Sequence, residues 1–73
     1  PVVIALSTND ALGINARNIG MLINMKNIYF VPFRQDDPHN KCNSLVANLD
    51  QVVETTIMAL QGKQIQPVLL GPA

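Results

Sequence analysis

A chain of 73 residues, 48% of them apolar and only 14% charged, makes at most one small domain, and at that length only about 60% of the unfolded surface is buried on folding. Five basic and five acidic residues cancel, and no basic cluster is present, so the electrostatic footprint of nucleic-acid binding is missing and nucleic acid is excluded as a partner. No apolar run approaches the ~20 residues that cross a bilayer and no charged leader precedes a hydrophobic segment, so the chain reads as soluble and cytosolic, without a membrane.

The chain opens on Val2-Val-Ile-Ala-Leu6, a continuous apolar run that suits a strand covered on both faces. Ser7, Thr8, Asn9 and Asp10 follow. They are expected at the carboxyl end of that strand, where open parallel sheets hold ligands. One helix cap needs one such residue, and here four hydrogen-bonding side chains stand in a row. A neutral amide such as Asn9 can donate to a carboxylate or a flavin carbonyl without titrating.

A helix is expected next, capped by Thr8, Asn9 or Asp10 and running to about Lys26, with Ile14, Ile19, Leu22, Ile23 and Met25 on its buried face. Asn27-Ile-Tyr-Phe-Val-Pro-Phe33 is β-branched and aromatic and reads as a second strand. Strand, helix, strand at this spacing is a right-handed crossover with parallel strands. Phe30 packs in the core, whereas Phe33 at the strand end is also placed to stack on a planar cofactor.

Arg34 to Ser44 form a polar loop of eleven residues, long for such a connection and so placed to close over a neighbouring site. Asp36, Asp37 and His39 match no metal-ligand spacing, and Asp-Asp-Pro is ordinary turn chemistry, so no metal is expected. Cys42 is the single cysteine and forms no internal disulfide. A second helix is expected from a cap at Asn43 or Ser44, with Leu45, Leu49, Val52, Val53, Ile57 and Leu60 inward and Gly62 as its stop. In the tail, Val68-Leu-Leu70 is a short apolar piece expected to dock on another surface.

Two strands do not make a stable doubly wound sheet, because each keeps an unpaired edge. Together with a charged content well below the usual quarter, this marks residues 1–73 as a single-domain piece (strand, helix, strand, loop, helix, tail) of something larger. The missing strands are then expected from an N-terminal portion or an oligomeric neighbour. No GxGxxG-type phosphate loop occurs in the chain.

Several separated motifs, taken in order, carry a resemblance: Pro1-Val-Val-Ile-Ala-Leu-Ser-Thr-Asn-Asp-Ala-Leu-Gly13, Lys26-Asn-Ile-Tyr-Phe-Val-Pro-Phe33, Gln35-Asp-Asp-Pro38, Asn43-Ser-Leu45 and Leu60-Gln-Gly-Lys-Gln-Ile-Gln-Pro-Val68. Across nearly its whole length the chain resembles the C-terminal part of the B-type dipicolinate synthase subunits, a family within the flavoprotein superfamily that includes the flavin-containing cysteine decarboxylases. The resemblance implies an α/β class, namely the C-terminal part of a flavodoxin-like (Rossmann-like) three-layer fold with parallel strands and crossover helices. The superfamily motif Pro-x-Met-Asn-x-x-Met-Trp falls on Leu6 to Gly13, where only Asn9 is retained. By that resemblance Asn9 is the catalytic and substrate-facing residue. Loss of both Met and the Trp argues against decarboxylation of a cysteinyl substrate, and Arg34 and Cys42 stand where the closer family is expected to carry Gly and Pro.

The resemblance further implies a subunit of an oxidoreductase that converts a hydroxytetrahydro- or dihydro-dipicolinate precursor to dipicolinate in the mother-cell cytoplasm of a sporulating bacterium. Implied with it are FMN held in part by Ser7 and Thr8, the nicotinamide-binding A-type subunit of dipicolinate synthase, which carries NAD(P), and a homo-oligomer. A dicarboxylate substrate would meet Asn9 and Arg34; of the two guanidinium groups, Arg17 and Arg34, the latter is better placed at a strand end. Asp10 would cap the helix or point away from a dianion. Two rival readings are an FMN-dependent decarboxylase relative and a non-catalytic scaffold for the nicotinamide-dependent partner.

Overall fold

A computed structural model describes residues 1–71. The elements in chain order are β1 (Val2–Ile4), β2 (Ser7–Thr8), α1 (Ala16–Leu22), β3 (Ile28–Phe30), β4 (Phe33–Arg34), β5 (Leu45–Ala47), a 3-10 turn (Leu49–Gln51) and α2 (Val52–Leu60). β1 and β3 are parallel, with Val2 opposite Ile28 and Ile4 opposite Phe30, and α1 lies in the crossover between them. The parallel α/β class expected from the sequence is therefore present.

Beyond Ile4 and Phe30 the two parallel strands part. Pro32 has no N–H for the ladder, and the Val31 N–H makes the last bond across, to the Ile4 carbonyl at 2.9 Å. β5 enters the fork, antiparallel to both arms, with Ser7 and Arg34 each opposite Val46. It donates from the Ala47 N–H to the Leu6 carbonyl at 2.7 Å, and the Asn48 N–H reaches the Pro32 carbonyl at 2.8 Å. The diverging arms thus find partners for backbone groups that would otherwise be orphaned.

This wedge corrects two expectations. The first strand is not continuous over residues 2–7, and Leu45 belongs to a strand, so neither Asn43 nor Ser44 caps a helix. Leu45 and Ala47 are buried with Val46 between them half-exposed, a period of two that favours a strand over a helix. The cap is Asn48, whose side-chain oxygen accepts from the Asp50 N–H.

α1 is shorter than expected. Residues 10–15 form turns in which the Asp10 carbonyl accepts from the N–H groups of Gly13 and Asn15, so none of Thr8, Asn9 or Asp10 caps the helix; Asn15 stands at that position. Ile19, Leu22 and Ile23 pack on the core as expected, but Ile14 is 86% exposed and Met25 is exposed too. The core itself is Ala11, Phe30, Phe33 and Leu45, with the two phenyl rings edge to face at 6.1 Å. Burying side chains of this size stabilises by roughly 1.5–3 kcal/mol each.

In α2 the buried residues are Thr55 and Ala59, whereas Val53, Ile57 and Leu60, with Leu49 in the preceding 3-10 turn, are exposed. The helical period expected from the sequence is correct and the assigned face is not. Small residues sit against the sheet because α2 lies close over β1 and β3. Gly62 ends the helix as expected, with φ at 75°: its N–H bonds to the Ala59 carbonyl and that of Lys63 to the Met58 carbonyl, the paired bonds of a Schellman ending.

The tail covers the outer edge of the sheet in two places. Gln64 bonds to both backbone groups of Phe30. Further on, the Phe33 N–H donates to the Val68 carbonyl and the Leu70 N–H to the Phe33 carbonyl, both at 2.9 Å. The Val68–Leu70 piece therefore docks on its own β4. Among the described residues, no helix is long and apolar enough to cross a membrane.

Candidate functional site

Direct partners across an antiparallel ladder point to the same face of the sheet. Ser7 and Arg34 both oppose Val46, so their side chains share the outward face with one strand between them, a separation of roughly 9.5 Å. Thr8 opposes Leu45 and Phe33 opposes Ala47; those four turn toward the opposite, core-facing side. The expected grouping of Ser7 with Thr8 is thus divided between two faces. Thr8 instead organises the turn, its hydroxyl oxygen accepting from the Asp10 N–H at 3.2 Å.

Asp10 has its carboxylate within 3.4 Å of the Asn15 side-chain amide. A Cβ on Gly13 would meet that same carboxylate, so any larger residue there requires the Asp10 side chain to swing away from the turn. The turn is also held to the long loop, since the Leu12 N–H donates to the Asn43 carbonyl at 2.9 Å. With its neighbours bonding one another, Asn9 is exposed in the turn, and its side-chain amide makes no hydrogen bond among the described residues.

Two depressions meet at Arg34. On the core-facing side an open groove of about 990 Å³ runs between α1, β4 and the tail, lined by Ala11, Ile19, Ile23, Phe33, Leu45 and Leu70 among others. Its walls are mostly aliphatic, and the one aromatic among the residues that line it, Phe33, is a buried core residue packed against Phe30. Gln35, Asp36 and Pro38 form its rim, so the long loop borders a cavity, as its length suggested. On the outward side a shallower depression of about 370 Å³ holds Arg34, Val46 and Asp50.

The loop is fixed from within by Ser44. Its hydroxyl lies 2.7 Å from an Asp36 carboxylate oxygen and 2.9 Å from the Lys41 carbonyl; with one proton to donate, it serves the charged acceptor. That bond, reinforced by the Lys41 ammonium at 3.6 Å, holds the Asp36 carboxyl below its ordinary pKa. Asp37 is engaged by the Asn40 amide, and Gln35 donates to the Cys42 carbonyl at 2.9 Å. Asp36 and Asp37 thus serve loop structure. Gln64 was not singled out from the sequence: a lone Gln in a polar tail carries no local signal, and its role depends on a backbone 34 residues away.

No family model matches the chain. The B-type subunit of dipicolinate synthase from Bacillus subtilis (strain 168) is 51% identical over 70 residues, which is 96% of this chain and 35% of that protein. The crystal structure of the B-type dipicolinate synthase subunit from Bacillus halodurans C superposes with a TM-score of 0.97 at 55% identity, covering 100% of this chain and 37% of that one. The chain therefore spans little more than a third of the length of these relatives. The family resemblance carried by the motifs is matched in sequence and in fold: the chain belongs with the B-type subunits of dipicolinate synthase, is homologous to their C-terminal part, and has the corresponding part of their flavoprotein fold.

Proposed function

We propose that this chain supplies one wall of the substrate site of a dipicolinate synthase, as part of its B-type subunit. The observation that carries the reading is the sharing of one sheet face by Ser7 and Arg34 across Val46, with Asn9 exposed in the turn two residues on from Ser7. A planar dicarboxylate needs one cationic and one neutral donor group set apart. The Arg34 guanidinium takes one carboxylate in bidentate fashion, and the Asn9 amide with the Ser7 hydroxyl takes the other. Neither neutral donor titrates, so binding of the dianion persists across the physiological range.

In the reaction class proposed, aromatisation of a dihydro-dipicolinate ring removes one hydride and one proton, and an oxidised NAD(P) held by a nicotinamide-binding partner would supply the hydride acceptor. The chain's own residues orient the ring by its two carboxylates. Such a subunit would work as a homo-oligomer in the mother-cell cytoplasm of a sporulating bacterium. Of the two residues expected to hold FMN, Ser7 keeps its hydroxyl on the outward face where a flavin edge could be met, whereas Thr8 faces the other way and its oxygen already accepts from the turn. FMN, when bound, supplies a two-electron acceptor.

The test is an absorbance spectrum of the full-length subunit purified with its nicotinamide-binding partner, before and after denaturation, beside an assay for dipicolinate. Stoichiometric flavin with turnover supports the FMN-bearing form of the reading. A colourless complex that makes dipicolinate supports a polypeptide that positions substrate for its partner. Turnover that is the same with and without this polypeptide overturns both.

A further inference from the structure

We propose that Ser44 is a positioning residue that sets the place of the Asn9 amide, a role that rests on the reading of Asn9 as a substrate contact. The turn that carries Asn9 leaves the sheet at Thr8, which is paired with Leu45 in the ladder. Four residues on, the Leu12 N–H donates to the Asn43 carbonyl at 2.9 Å. Both ends of the turn are thus held by the two residues that flank Ser44. Ala11 is buried in the core between these anchors, a contact that has no directionality. Inside the turn the bonds are local: the Thr8 hydroxyl oxygen accepts from the Asp10 N–H, and the Asp10 carbonyl accepts from the N–H groups of Gly13 and Asn15. They shape the turn without placing it against the sheet.

Ser44 is the point at which the gripping segment is itself fixed. It is 1% exposed. Its N–H donates to the Lys41 carbonyl at 3.1 Å and its hydroxyl to the Asp36 carboxylate at 2.7 Å. Asp36 stands two residues beyond Arg34, the last residue of β4, so the hydroxyl ties the chain entering β5 to the chain leaving the strand that carries the guanidinium. A hydrogen bond to a carboxylate is short and roughly twice as strong as a neutral one, which gives the buried hydroxyl one orientation. Through Asn43 on one side and Leu45 on the other, that fixed point reaches both ends of the Asn9 turn. A shift of about 1 Å in a group that positions substrate costs on the order of 100-fold in rate, so a hydroxyl shut away from solvent still bears on turnover.

The test uses the natural full-length polypeptide and two readouts. In amide exchange followed by NMR, Ser44→Ala should quicken the Leu12 N–H at least about tenfold and leave the Val31 N–H, in the β1–β3 ladder, within about twofold of wild type. In turnover with the nicotinamide-binding partner, Ser44→Ala should lower kcat/KM for the dicarboxylate at least about threefold, and should lower it no further once Asn9→Ala is present. A role in stability alone would lower both backgrounds by the same factor. Asp36→Ala, at an exposed side chain, removes the acceptor and should move both readouts in the same direction by at least about twofold, which keeps the test intact where Ser44→Ala does not fold. An unmoved Leu12 N–H, or equal factors in the two backgrounds, overturns the proposal alone. Asn9→Ala with wild-type turnover overturns the reading of Asn9 as a substrate contact, and the proposal with it.

Discussion

The Gln64 side-chain amide occupies the place of a neighbouring strand beside Phe30: it accepts from the Phe30 N–H at 2.7 Å and donates to the Phe30 carbonyl at 2.7 Å. In a parallel pair alternate residues face the partner. Since Val31 bonds to β1, both backbone groups of Phe30 point the other way, toward an edge that would otherwise lack a ladder. A primary amide is the side chain that offers one donor and one acceptor side by side.

Gln64→Ala should therefore destabilise by about 1–3 kcal/mol, since it leaves two partly buried backbone groups unpaired. Gln64→Glu keeps the acceptor and loses the donor, and should fall between the two. Urea unfolding monitored by circular dichroism checks the order wild type, Glu, Ala. Equal midpoints for all three would show that water satisfies the Phe30 edge equally well.

Asn9 holds no part of the fold together, so its replacement should separate function from stability. Asn9→Ala is expected to lower kcat/KM for the dicarboxylate by roughly 10- to 100-fold, the worth of a hydrogen bond to a charged group, while the melting temperature stays within about 1 °C of wild type. Arg34→Lys should also lose activity, because an ammonium does not reproduce the bidentate fork. Steady-state kinetics with thermal melts on the same samples decide this.

Gly13→Ala tests the turn. The added methyl displaces the Asp10 carboxylate from Asn15, so the loss expected is that of one part-buried hydrogen bond, about 0.5–1.5 kcal/mol. Amide exchange should quicken from Asp10 to Asn15 before it does in β1 or β3.

The Ser44 hydroxyl lowers the Asp36 pKa, with Lys41 contributing. A carboxylate whose folded pKa is depressed adds stability that is complete above its unfolded pKa and is lost as pH falls through the lower, folded value. Ser44→Ala should raise the Asp36 midpoint toward its ordinary value, seen in carboxyl-detected NMR titration, and should make the acid-side loss of stability shallower. An unmoved midpoint would assign the shift to the backbone N–H of Asp36 and to Lys41.

The strand–helix–strand crossover was legible because β-branched runs and a helical apolar period are local signals, and the Gly62 stop is a matter of one backbone angle. β5 was not legible as a strand. Leu45 and Leu49 also fit a helical stripe, and the period of two in Leu45-Val-Ala47 is only three residues long; what decides it is the need of Leu6 and Pro32 carbonyls for donors, a demand made by residues far away in sequence. The same holds for the inverted α2. Its period fixed which residues lie together, and only the closeness of the sheet decided that the small ones face in. At the site, Ser7, Asn9 and Arg34 were nameable from residue type, whereas the turning away of Thr8 follows from register with β5, which single-sequence pattern does not contain.

Ser7 and Arg34 have their spacing set by Leu45–Ala47, which lies between them. The ligand-binding geometry proposed for this face therefore depends on a segment that contributes no reactive group of its own, and a cleavage in the 35–44 loop that freed β5 would dismantle the site while leaving the parallel pair intact.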